Sequence, residues 1–141
     1  MGSHSKIRVL LVEDHPRARA GLELFIEAFP DLLLLGQVAT GEEAIEFCDR
    51  SEPDVIVMDI KLPGIDGITT TASIRGTHPG VQVVALSTFR EQDLVERAFE
   101  AGVNSYVLKT SPAHDLIDAI RAAYIPVQPP SGDQGRGTSG Q

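Results

Sequence analysis

Five polar side chains stand where short apolar runs end: Glu13 and Asp14 after "IRVLLV", Asp59 after "VIVM", Ser87 closing "VQVVALS", and Lys109 closing "SYVLK". A carboxylate at the end of a buried run is costly unless something pairs with it. Three carboxylates brought together would also repel one another and raise each other's pKa. A divalent cation relieves that repulsion. Mg²⁺ prefers hard oxygen donors, commonly takes one or two carboxylates, and keeps several waters. Ionised Asp59 beside such an ion is a nucleophile suited to electrophilic phosphorus, giving an aspartyl phosphate. Lys109 could then pair with one oxygen of the transferred group and the Ser87 hydroxyl donate to another.

Each residue also has a plainer role. Asp59 precedes the turn-forming "LPG" at Leu62–Gly64 and could simply initiate that turn. Glu13 and Asp14 would favourably charge a helix N-terminus. Ser87 could bond locally, Lys109 could be a solvated cation, and Tyr106 could be half-buried strand filler. Taken alone, none outweighs its plainer role. Their placement at successive strand ends is what unites them.

The elements that must position them follow from the hydrophobic pattern. Ile7–Val12 reads as a buried strand, followed by a helix with Ala18, Leu22, Phe25, Ile26 and Phe29 on one face. "LLLLGQVA" reads as a second strand. Thr40 with Glu43 three residues later is a capping-box signature for the next helix. Asp54–Asp59 is the third strand, and a Thr-rich helix over roughly Ile68–Arg75 follows. "VQVVALS" is the fourth strand. A helix over Arg90–Ala101 follows, with Leu94, Val95, Ala98 and Phe99 inward and Gly102 as C-terminal cap. "SYVLK" is the fifth strand, and Ser111 with Pro112 is expected to open the last helix. Five alternations of strand and helix predict an α/β fold: a doubly wound five-stranded parallel sheet with helices on both faces. In such a sheet the strand ends share one edge, so the five polar groups converge there.

The 141 residues, 42% of them hydrophobic, suit a single domain. Residues 1–5, which include "MGSH", read as a cloning scar and N-terminal residues. Residues 6–125 read as the domain, and the Pro/Gly/Ser-rich stretch 126–141 as a flexible linker or tail. No apolar run is long enough to span a bilayer and no signal-peptide pattern is present, which predicts a cytoplasmic protein without membrane contact. The single cysteine, Cys48, excludes an intrachain disulfide and falls at helical spacing from Ala44 and Ile45, as a packing thiol would. A net charge of −8 argues against this domain gripping DNA itself.

The segments "LLVEDHP", "DVIVMDIKLPGIDG", "VVALSTF" and "SYVLKTS" occur in order and without gaps between Ile7 and Tyr124. Together they resemble the receiver domain of two-component response regulators. "EDHP", "AGVNSYVLKTS" and Thr110 after the lysine resemble its NarL/LuxR-type subfamily. The resemblance implies a flavodoxin-like receiver with strand order 2-1-3-4-5. It implies that Asp59 is phosphorylated by a cognate sensor histidine kinase with Mg²⁺ as cofactor. Asp14, Asp59 and the Lys61 backbone carbonyl would hold the metal, and Glu13 would hold it through water. Lys109 would contact the phosphoryl group, Ser87 and Tyr106 would form the switch pair, and the small Thr88 would leave the site accessible. The chain would then be a signalling receiver rather than an enzyme, assisting only its own phosphotransfer and slow autodephosphorylation. In that subfamily a C-terminal helix-turn-helix domain, which this sequence does not contain, binds DNA. The expected assembly is a monomer or weak homodimer that tightens on phosphorylation. A stand-alone receiver, working in a phosphorelay or by direct protein binding, is the alternative. Many receivers have a cis proline bond after the lysine; Thr110 puts a cis peptide at 109–110 in doubt, since non-proline cis bonds cost roughly 2.5–4 kcal/mol. An aspartate-nucleophile phosphohydrolase is disfavoured, because Lys61 stands where a second acid would be needed.

Overall fold

The computed structural model describes residues 6–126. The stretches read from sequence as an N-terminal scar and as most of the linker lie outside the described residues. Strand and helix alternate throughout: β1 (Ile7–Val12), α1 (Pro16–Glu27), β2 (Leu32–Val38), α2 (Gly41–Arg50), β3 (Val55–Asp59), α3 (Gly67–Thr77), β4 (Gln82–Ser87), α4 (Gln92–Ala101), β5 (Ser105–Leu108) and α5 (His114–Ala123). The sheet runs in the order β2-β1-β3-β4-β5, all neighbours parallel. The doubly wound fold and its strand order are therefore as expected.

Alternating residues of the central strands face opposite helical layers, the period-2 geometry of an extended chain. Leu10, Val12, Ile56, Met58, Val83 and Ala85 pack with Ala44, Cys48, Ile74 and Ala98 of α2, α3 and α4. Their neighbours Val9, Leu11, Val55, Val57, Val84 and Leu86 pack with Ile26, Leu116, Ile117 and Ile120 of α1 and α5. Burial on both faces explains why these strands are near-continuous apolar runs. Truncating the fully buried Ile117 to alanine would cost about 2–5 kcal/mol. Cys48 is buried as expected, and burial pushes its thiol up to about 11, which keeps it inert.

The register brings the chemistry to one edge. Val12 pairs with Met58, Asp59 with Leu86 and Ser87 with Leu108, so the residues after β1, β3, β4 and β5 emerge together. The sequence also moves from β1 outward to β2 and then back to β3 on the other side, which opens a crevice at that edge. Two glycines tighten the frame. A Cβ at Gly67 would collide with the carbonyl oxygen of Asp59, so only glycine lets α3 start this close to the site. Gly102 ends α4 in the left-handed conformation, φ 115°, as its position predicts.

The capping box at α2 forms in full: Thr40 Oγ1 accepts from the Glu43 N–H, and Glu43 Oε1 accepts from the Thr40 N–H. Three local expectations need correction. Ser111 does not cap α5; its N–H donates to the Leu108 carbonyl, and a tight turn through Pro112 and Ala113 already engages the N–H groups of Asp115 and Leu116. Helix α4 starts at Gln92 rather than Arg90. Phe99 is 47% exposed instead of inward, because Ala98 alone fills the buried line of α4 and Leu94 and Val95 are half-buried. The described residues contain no cis peptide bond, so Lys109–Thr110 is trans. No described helix is long and apolar enough to cross a membrane.

Candidate functional site

Asp59, ahead of the buried Ile60, is the last residue of β3. Its Oδ1 then accepts from the Lys61 N–H at 3.2 Å, turning the chain off the sheet. The residue is only 4% exposed. Glu13, at the exit of β1, is fully buried, and its N–H still donates to Val38 O on the neighbouring strand. Three further contacts fix it: the His15 N–H donates to Oε2 at 3.1 Å, the His15 ring Nδ1 shares a hydrogen bond with the same oxygen at 3.3 Å, and Arg19 Nη1 donates to the Glu13 carbonyl at 2.9 Å. Lys109 leaves β5 with its N–H bonded to Ser87 O at 2.8 Å. Its ammonium reaches across the edge to Glu13 Oε1 at 2.9 Å and to Asp59 Oδ2 at 3.5 Å.

The single cation is thus shared unequally between two buried acids. Burial alone would lift the Glu13 carboxyl, yet the Lys109 hydrogen bond, the His15 N–H and the Lys109 charge together hold it below its usual range. Burial would likewise depress the Lys109 ammonium, but Glu13 and Asp59 raise it above its ordinary value. Asp59 gets less help. Burial first and the Glu13 charge second push its carboxyl up to about 6, against the opposing pull of Lys109 and the Lys61 N–H. Glu13 and Lys109 form a settled ion pair, and Asp59 is the under-compensated carboxylate beside it.

Asp14 completes the group. Its Oδ1 is buried with no hydrogen-bond partner among the described residues, although its side chain as a whole is 26% exposed. One ligand atom each from Glu13, Asp14, His15 and Asp59 lie within 4.8 Å of one another. Hard carboxylate oxygens, one of them buried and unpartnered, fit a divalent cation of the Mg²⁺ type. The cleft outside them holds about 260 Å³ and is lined by His15, Asp59, Lys61, Ser87, Thr88, Phe89 and Lys109. A water occupies about 30 Å³, so the space admits a phosphoryl group. A larger groove of about 710 Å³ between α1 and β2 contains none of the strand-end groups Asp59, Ser87 and Lys109. The chemistry therefore belongs to the smaller cleft.

Ser87 is 1% exposed, and its Oγ accepts from the Phe89 N–H at 3.0 Å. The Tyr106 hydroxyl donates to the Phe89 carbonyl at 2.6 Å. The Lys61 ammonium lies 5.3 Å from the centre of the Phe89 ring, a cation–π contact beside the cleft mouth. The structure thus brings Glu13, Asp14, Asp59, Lys61, Ser87 and Lys109 to one edge and sets Tyr106 one residue's backbone away. Sequence reasoning assigned no role to His15, Arg19 or Phe89. His15 was visible as the residue after the acid pair; the contacts of Arg19 and Phe89 depend on three-dimensional folding and leave no spacing signal.

The chain is similar to known proteins of one kind. The family model described as the response regulator receiver domain matches residues 9–121. The transcriptional regulatory protein LiaR of Bacillus subtilis is 43% identical over 117 residues, covering 83% of this chain and 56% of LiaR. The response regulator protein VraR of Staphylococcus aureus is 39% identical over 115 residues, covering 82% of this chain and 55% of VraR. This chain spans about half the length of the curated relatives it matches. Among solved structures, a LuxR-family two-component response regulator from Aurantimonas sp. superposes with a TM-score of 0.81 at 35% identity over 84% of each chain. The response regulator domain of Thermotoga maritima CheB gives 0.79 at 30% identity, covering 88% of this chain and 99% of that one.

Proposed function

Because this chain belongs to the response regulator receiver domain family, we propose that it accepts a phosphoryl group on Asp59 from the phosphohistidine of a sensor kinase and relays that event to an output partner. The observation that carries this reading is the placement of Asp59: buried, lifted to about 6, and set between a Glu13–Lys109 ion pair and an unpartnered Asp14 oxygen.

In the transfer, an Asp59 carboxylate oxygen forms a bond to phosphorus while the bond from phosphorus to the donor's imidazole nitrogen breaks. The leaving nitrogen keeps the electron pair. Asp14, Asp59 and the Lys61 backbone carbonyl would hold a divalent cation, with Glu13 acting through water; bound there, the cation supplies neutralisation of charge on the phosphoryl oxygens. Lys109, already 3.5 Å from Asp59, offers its ammonium to one phosphoryl oxygen. The Ser87 hydroxyl, which accepts from the Phe89 N–H and donates to no group among the described residues, can donate to another phosphoryl oxygen. Water attack on phosphorus later releases phosphate and restores the carboxylate.

For output, the relatives named as a transcriptional regulatory protein and a response regulator support a C-terminal DNA-binding domain as the controlled partner. A weak, phosphorylation-strengthened homodimer fits the same role. The test is incubation with acetyl phosphate and Mg²⁺, followed by borohydride reduction and mass-spectrometric mapping. Label at Asp59, released by hydroxylamine and absent in Asp59→Asn, is the expected result; label at Asp14 or Asp66 would overturn the assignment.

A further inference from the structure

His15 stands at the N-cap of α1, a position that favours side chains able to accept from the first helical N–H groups. Its side chain makes no such bond, and Pro16 follows it at the start of the helix. The ring instead turns toward the acid cluster. Nδ1 shares a hydrogen bond with Glu13 Oε2 at 3.3 Å and lies 3.4 Å from Asp14 Oδ1.

Resting on the reading that this cluster holds a divalent cation, we infer that His15 is a further donor to the site and sets its preference among metals. Glu13 is already neutralised by Lys109 at 2.9 Å, so the anionic donors left for a cation are Asp14 and Asp59. Adding the His15 nitrogen makes a set of two carboxylates and one imidazole, all with ligand atoms inside the same 4.8 Å group. Carboxylates and water suit Mg²⁺, whereas imidazole favours later transition metals such as Co²⁺ and Ni²⁺. His15 is 73% exposed on its side chain, so ligation requires no opening of the core. The chain is thereby biased toward Co²⁺-type ions beyond what two carboxylates alone would give.

Titration calorimetry with Co²⁺ and with Mg²⁺, on the intact chain and on His15→Ala, His15→Gln and Asp14→Asn, tests this. The Co²⁺-to-Mg²⁺ affinity ratio is expected to fall about tenfold in both His15 variants. Proton NMR of the Co²⁺ form should show hyperfine-shifted imidazole ring signals that disappear in His15→Ala and in Asp14→Asn. An unchanged ratio with ring signals that survive in His15→Ala would overturn the inference while leaving the acid-cluster site standing. Ring signals that survive in Asp14→Asn would place the imidazole elsewhere and overturn it too. Failure of both ions to bind the intact chain would instead sink the cation reading on which the inference rests.

Discussion

Ser87 and Tyr106 hold opposite ends of one residue: Ser87 Oγ accepts from the Phe89 N–H, and the Tyr106 hydroxyl donates to the Phe89 carbonyl. Any movement of Ser87 toward a phosphoryl group on Asp59 therefore pulls on the backbone that anchors Tyr106.

That linkage predicts the behaviour of two variants. Ser87→Ala should still be phosphorylated but transmit little to α4. Tyr106→Phe should loosen Phe89 even without phosphate, at a cost of about 0.5–1.5 kcal/mol. Amide NMR shifts over Gln92–Ala101, with and without beryllofluoride, measure both. Equal responses in wild type and Ser87→Ala would break the proposed coupling.

Asp59 should weaken the fold it serves. Its folded carboxyl sits at about 6 against an ordinary 3.8, so the folded state binds the proton more tightly than the unfolded state. Stability from this group is full below the ordinary value and is lost as pH rises through about 6. At neutral pH without metal, Asp59→Asn should be more stable by about 1–3 kcal/mol. Denaturant melts in EDTA check this, and added Mg²⁺ should narrow the gap by stabilising the wild type.

Removing Lys109 should be far more damaging than an ordinary surface change. Lys109→Met leaves the fully buried Glu13 without its cation, a loss of about 3–5 kcal/mol. Adding Glu13→Gln removes the orphaned charge and should recover a large part of it. A double-mutant cycle by thermal or urea unfolding reads the coupling, and simple additivity would contradict the ion-pair assignment.

His78 supplies a second pH signature, remote from the site. Its Nε2 lies 2.8 Å from Asp49 and its Nδ1 2.6 Å from Glu52, tying the end of α3 to the end of α2. The Asp49 and Glu52 hydrogen bonds raise its pKa above 6.5. Its contribution is complete below 6.5 and fades as pH rises through the raised folded value. His78→Gln should flatten that limb of the stability profile while leaving the limb due to Asp59 in place.

The sequence disclosed what period and position encode. The apolar runs of β1, β3, β4 and β5 and the polar residues that close them located both the sheet and the edge where Glu13, Asp14, Asp59, Ser87 and Lys109 gather. It did not disclose how one cation divides between two acids. That division depends on Lys109 being 2.9 Å from Glu13 and 3.5 Å from Asp59, a difference set by packing. Nor could spacing alone show that Phe99 turns outward, since α4 is short and Ala98 satisfies its inner line. Ser111 failed as a cap for a similar reason: the turn before α5 engages the donors a serine would have served.

The pairing of β1 with β2 slips between Val9 and Leu10: Val9 faces Leu34, but Leu10 faces Gly36, so Leu35 stands unmatched. β2 is an outer strand, and it carries four consecutive leucines, Leu32–Leu35. A flat apolar border of that kind is a template onto which a strand of another molecule can zip. The extra residue bends and twists the border at the leucine run. Deleting Leu35 should restore an even ladder and, with it, a tendency to precipitate at high concentration. An uneven border of this kind offers an incoming strand no continuous ladder to extend.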